Sequence, residues 1–95
     1  MQTLYTKMKV NNEIELCEIY SLELKTEIER ALLQERISYF IRWPKVTIFS
    51  RHKFICVFCV NENSVEDAEA VITQICEESG QDVKYLMRRS SNDYL

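Results

Sequence analysis

Seven consecutive apolar residues, Phe54-Ile55-Cys56-Val57-Phe58-Cys59-Val60, constrain this chain more than any other feature. β-branched and aromatic side chains dominate the run, and neither glycine nor proline interrupts it. A run this short reads as a strand covered on both faces, because a buried helix needs more length. Complete burial of these side chains contributes on the order of 10–15 kcal/mol before chain entropy is subtracted. An edge strand does not carry that load. Lys53–Val60 therefore belongs in the middle of a sheet.

The flanking elements follow from periodicity and caps. Residues 1–12 admit a short strand at Leu4-Tyr5-Thr6, with Asn11-Asn12 as a turn. Glu13–Tyr20 alternates imperfectly and reads as the first core strand. Ser21 is placed to cap a helix over residues 22–35, whose apolar stripe is Leu24, Ile28, Ala31 and Leu32. Glu23 suits the positive end of that helix, and Arg30 and Arg36 the negative end. Ile37–Trp43 reads as a second strand; Pro44 follows it, and Lys45–Phe49 resumes the same pattern. A proline inside an extended segment marks a sheet edge or a bulge. Ser64 and Asp67 resemble a capping box for a second helix over 65–79, with Val65, Ala68, Ile72, Ile75 and Cys76 as its stripe. Gly80, the only glycine, sits where a helix end favours a left-handed residue. Asp82–Met87 gives a final strand, and residues 88–95 read as a loose polar tail.

The order strand, helix, strand, strand, helix, strand fits two split βαβ units with right-handed crossovers. The expected fold is α+β and ferredoxin-like. It is a single 95-residue domain with a four-stranded antiparallel sheet and both helices on one face. The first and third strands are central and the second and fourth are edges. The third strand is apolar on both parities, and the second carries Tyr39, Ile41 and Trp43 against Phe40 and Arg42. The face without helices is thus expected to be an apolar patch, buried in a homo-oligomer, most simply a dimer. The plainer alternative is packing under the N-terminal segment.

Charge is unevenly spread. Arg36, Arg42, Lys45, Arg51 and Lys53 fall within residues 36–61, which contain no acidic residue, while the remainder carries seven basic and fifteen acidic residues. Arg42, Lys45, Arg51 and Lys53, interleaved with Trp43 and Phe49, suit an anionic small molecule, a protein partner or, as a lesser alternative, a phosphate backbone. A solvated hairpin that discourages edge pairing is the bland reading of the same residues.

Other chemistry is poorly supplied. The four cysteines lie in apolar periodic segments and read as reduced core thiols. Cys56 and Cys59 are three apart in a strand, so their sulfurs diverge, and one histidine does not complete a common zinc set. A single glycine excludes phosphate-cradling loops. His52 lies between Arg51 and Lys53, which lower its basicity. The expectation is no enzyme, no cofactor, no metal and no catalytic residue. No apolar run reaches the roughly 18–20 residues of a membrane span, and no signal-peptide block opens the chain, which points to the cytoplasm.

Ile19-Tyr20-Ser21, then Ile28-Glu29, Leu32-Leu33 and Ile37, resemble the opening half of small prokaryotic signal-transducing proteins of the PII-like type. That resemblance covers about a third of the chain. It implies a PII-like version of this fold with a regulatory role seated in the loop between the second and third strands, here Pro44–Lys53. The long glycine-containing effector loop of true PII proteins is missing, so their nucleotide binding does not carry over. RNA-recognition domains share the element order, and their third strand stacks bases on spaced aromatics. Phe54 and Phe58 lie four apart, and the usual glycine is absent.

Overall fold

Hydrogen-bonding demands at the helix ends set the element boundaries in the computed structural model, which describes residues 13–44 and 54–89. Ser21 is extended, and its Oγ accepts from the Leu24 N–H at 3.0 Å, which starts helix α1 at Leu22–Gln34. Leu24, Ile28 and Leu32 form its buried stripe. The helix ends in a double closure: Arg36 N–H donates to the Leu33 carbonyl (3.1 Å) and Ile37 N–H to the Leu32 carbonyl (2.9 Å). That pattern requires a left-handed residue, and Arg36 adopts φ 60°. The last turn of α1 itself carries no basic residue; of the two expected to complement its negative end, Arg30 lies before that turn and Arg36 two residues beyond Gln34.

Helix α2 spans Val65–Ser79, the bounds its periodicity implies. Its start is built differently from the capping box expected at Ser64 and Asp67. A single 3₁₀ turn, Glu62–Ser64, leads into the helix, and the Ser64 side chain makes no capping hydrogen bond. The chain is already turning at Ser64, with φ −106° and ψ 2°, and lacks the extended backbone that aims a capping hydroxyl at the first amides. Gly80 closes the helix at φ 76°, donating its N–H to the Cys76 carbonyl at 2.9 Å.

The strands are β1 (Glu13–Ile19), β2 (Tyr39–Arg42), β3 (Cys56–Asn61) and β4 (Lys84–Arg89). They form one antiparallel sheet in the order β2-β3-β1-β4, so the fold is the ferredoxin-like α+β arrangement expected, with β3 and β1 central. Cys56, Phe58 and Val60 meet Leu16, Cys17 and Ile19 of β1 and the buried stripes of both helices in one core. Cys56–Val60 is buried throughout, on both parities. The fourth strand runs two residues further than the sequence suggests. Arg88 and Arg89, read as the start of a loose tail, are ladder residues opposite Glu15 and Ile14. Residues 90–95, the N-terminal segment 1–12 and the continuation Lys45–Phe49 lie outside the described residues.

Two irregularities shape the centre of the sheet. Between Glu15 and Cys17, β1 takes two steps while β3 takes one, from Cys59 to Phe58, so β1 holds an extra residue. Opposite the same two steps β4 takes three, from Arg88 to Tyr85, and Met87 there has φ 52°.

The two helix ends give a paired expectation. Arg36→Gly removes a left-handed cost on an arginine and raises stability by about 0.5–1 kcal/mol. Gly80→Ala lowers it by about 1 kcal/mol, all of it backbone strain, because an added Cβ at Gly80 meets nothing within 4 Å. Urea unfolding of the two variants checks both signs.

Candidate functional site

Directly paired residues of an antiparallel ladder project to the same face, and that rule locates the side chains away from the helices. Phe40 pairs with Cys59 and Arg42 with Val57; Glu15 pairs with both Cys59 and Arg88, and Glu18 with both Val57 and Lys84. The extra residue in β1 is what lets Glu15 and Glu18, three apart, share that face while Leu16 and Cys17 both enter the core.

The centre of this face is a carboxylate held by both sheet edges. Glu15 is 3% exposed. Its Oε2 accepts from Arg42 Nη1 of β2 at 2.9 Å, and its Oε1 from Arg88 Nε of β4 at 2.7 Å. Arg42 Nη2 also reaches Glu13 Oε1 at 3.4 Å. Burying a carboxylate without partners costs several kcal/mol, so the guanidinium groups are what permit Glu15 to sit there. The exposed apolar patch expected from the parities of β2 and β3 is not what this face presents. Val57 and Cys59 are already buried, and Arg42 reaches from β2 across β3 to the carboxylate of Glu15, which Arg88 meets from the opposite edge.

Of the five residues selected from the sequence, the structure describes two. Arg42 lies on this face among Glu13 and Glu15. Trp43, its neighbour, lies towards α1, with Lys25 Nζ 5.7 Å from its ring centroid. The two do not converge on one ligand-sized surface. Lys45, Arg51 and Lys53 lie outside the described residues, as does His52. Sequence reasoning missed Glu15 and Arg88; their signal was the broken alternation Glu13-Ile14-Glu15-Leu16-Cys17-Glu18, which is the mark of a bulge.

On the other side of β2, Lys25 is paired with Glu29, and Tyr39 OH donates to Glu29 Oε1 at 2.7 Å. The hydrogen bond from Lys25, then that from Tyr39, hold the Glu29 carboxyl below its ordinary value. Burial, then the Glu29 carboxylate, push the Tyr39 phenol up to about 12.

The cysteines are free and chemically quiet. Burial raises Cys17 and Cys59 to about 12 and Cys56 to about 11. Cys56 belongs to the core on the helix side and Cys59 to the opposite face, as their spacing implies. Among the described residues no group of three or more histidine, cysteine or acidic side chains is arranged to hold a metal ion. The recess lined by Glu13, Phe40, Cys59 and Asn61 has room for about one water molecule. Phe58, one of the two aromatics considered for base stacking, is fully buried against the helices, and the central strands of the helix-free face offer Glu15, Glu18, Val57 and Cys59 instead.

Compared with known proteins, the chain matches no family model, no curated protein and no solved structure. None of its described helices is long and apolar enough to cross a membrane.

The phenol of Tyr39 yields a pH test. Its folded value lies above the ordinary 10, so between 10 and about 12 the folded state keeps a proton that the unfolded state releases. Stability from this group is complete below pH 10 and is lost as pH rises through about 12. Thermal melts across that window are expected to fall more steeply for the native sequence than for Tyr39→Phe.

Proposed function

We propose that the protein is a non-enzymatic regulatory or interaction module of the cytoplasm that engages an anionic partner, small molecule or protein, through the basic connection between β2 and β3. One observation carries this reading. Arg42, the last residue of β2, is fixed by Glu15 at 2.9 Å and by Glu13 at 3.4 Å, so the strand that leads into Lys45, Arg51 and Lys53 has a rigid root. A cationic segment on a rigid support loses less conformational freedom on binding than one on a loose support.

The thiols support the non-enzymatic part, because burial keeps Cys17, Cys56 and Cys59 protonated and so without nucleophilic character. A PII-like signalling role is the specific form that the resemblance in the first half of the chain implies. The alternative of single-stranded nucleic-acid binding gains little support from the sheet. The central strands place Glu15, Glu18, Val57 and Cys59 on the helix-free face, with no aromatic ring among them for bases to stack on, and Arg42 and Arg88 are already engaged by Glu15.

Thermal-shift titrations with ATP, inorganic phosphate and a single-stranded oligonucleotide in separate arms test the reading. A saturable rise in Tm with ATP or phosphate, abolished in the triple variant Lys45→Glu, Arg51→Glu, Lys53→Glu, is the expected result. A rise that survives the charge reversal, or no rise with any anion, overturns it. A response to the oligonucleotide alone, falling steeply with salt, favours the nucleic-acid alternative.

A further inference from the structure

The most exposed large apolar side chains among the described residues gather on one flank. Leu33 is 63% exposed, Leu22 62% and Trp43 55%. Leu22 and Leu33 stand at the two ends of α1, and Lys25 and Glu29 lie between them on the same side. At 100° per residue, Leu22, Lys25, Glu29 and Leu33 occupy roughly 80° of the helix circumference. The stripe faces the β2 side of the sheet, because Lys25 covers the ring of Trp43 and Glu29 receives the Tyr39 hydroxyl.

Read in either direction, the stripe is complementary to itself. We propose that a second copy of this chain docks on the α1–β2 flank about a two-fold axis, with the two α1 helices antiparallel. The axis passes near Glu27 and Ile28. It brings Leu22 of each copy against Leu33 of the other, and Lys25 of each against Glu29 of the other. The same axis is level with the middle of β2: Lys25 lies by Trp43 and Glu29 by Tyr39, so the midpoint of the leucines projects between Phe40 and Ile41. An isologous contact needs this reciprocity, in which each residue meets the partner of its own partner.

Charge complementarity selects the occupant. Lys25 and Glu29 already neutralise each other within one chain. An antiparallel copy extends the pair to a four-charge network with apolar side chains at both ends, whereas a parallel copy sets Lys25 against Lys25. The helix-free face is the weaker place for a second copy, because a pair formed there desolvates the Glu15, Arg42 and Arg88 cluster. One helix flank and a tryptophan make a small interface, of the kind that dissociates readily. This contact does not rest on the anionic-partner reading.

Sedimentation equilibrium of the full chain, at concentrations up to about 1 mM, tests the proposal. A concentration-dependent species of twice the 11.3 kDa chain mass is expected. Leu33→Glu and Leu22→Glu, at exposed positions, should each weaken it at least tenfold with the melting temperature of the dilute protein unchanged. Lys25→Glu and Glu29→Lys should each be monomeric alone and dimerise when mixed. A monomer at every concentration overturns the proposal, as does a dimer indifferent to both leucine variants or a mixture that fails to pair. The Lys45, Arg51, Lys53 charge reversal should dimerise like the native chain, so failure here is distinct from failure of the anion-binding reading.

Discussion

A buried carboxylate at the centre of the sheet sets the terms for the rest of this structure. Glu15 sits on an inner strand and accepts from one arginine on each edge strand, Arg42 at 27 and Arg88 at 73 residues' separation. The core side of the sheet needs no such device, since Phe58, Leu16, Ile19 and the helix stripes bury one another. The helix-free side has no described layer above it, and there the edges are tied across the centre by charge. Such a tie is weakly stabilising in total, because desolvation of Glu15 offsets much of the attraction, but removing one partner leaves a buried charge unmet. The arrangement therefore specifies register more than it adds stability. It works only if β1 places Glu15 and Glu18 on the same face, which the extra residue in β1 achieves.

Much of the fold was legible in the sequence, for physical reasons that differ by element. Helix α2 was readable to the residue because a continuous apolar stripe ends at the one glycine, and the left-handed Gly80 terminates it. Strand β3 was readable because no other element of that length buries five consecutive apolar residues, although it begins at Cys56 and leaves Phe54 and Ile55, expected within it, ahead of the strand and partly buried. The site was less legible. The Leu16-Cys17 doublet looked like imperfect alternation, yet it is the bulge that organises the face. Arg88 and Arg89 read as tail because they are polar and follow the last apolar residue of the strand pattern; the left-handed Met87 (φ 52°), which lets β4 continue past that point, has no mark in the sequence. Ser64 shows that a capping pattern is no more than a backbone opportunity. With a 3₁₀ turn already in place, the hydroxyl has no amide to cap. The helix-free face is not the apolar patch that the parities of β2 and β3 suggest, because the side chains that decide its polarity, Glu15 and Glu18, belong to β1.

Function follows from how charge is distributed over this frame. The helix layer carries most of the acid: α2 has Glu66, Asp67, Glu69, Glu77 and Glu78 and no basic residue. The basic residues concentrate around β2 and the connection that follows it. Arg42 belongs to both systems, engaged with carboxylates on the sheet and leading into Lys45, Arg51 and Lys53. On the far side of β2, the Lys25, Glu29 and Tyr39 cluster fastens the same strand to α1. A four-residue edge strand is thus held from both faces by charged hydrogen bonds. That is an expensive amount of structure for a strand so short, and it is consistent with β2 bearing the contact surfaces.

A double-mutant cycle between Glu15 and Arg42 measures the central tie most directly. The unfolding free energies of Glu15→Gln, Arg42→Gln and the double variant isolate the pairwise term. A coupling of about 2 kcal/mol is predicted for this largely buried, charge-assisted pair, with a value under about 1 kcal/mol for the matching cycle with the more exposed Arg88. A Glu15–Arg42 coupling indistinguishable from zero would contradict the account, because the sheet edges would then be held in register by something other than this carboxylate.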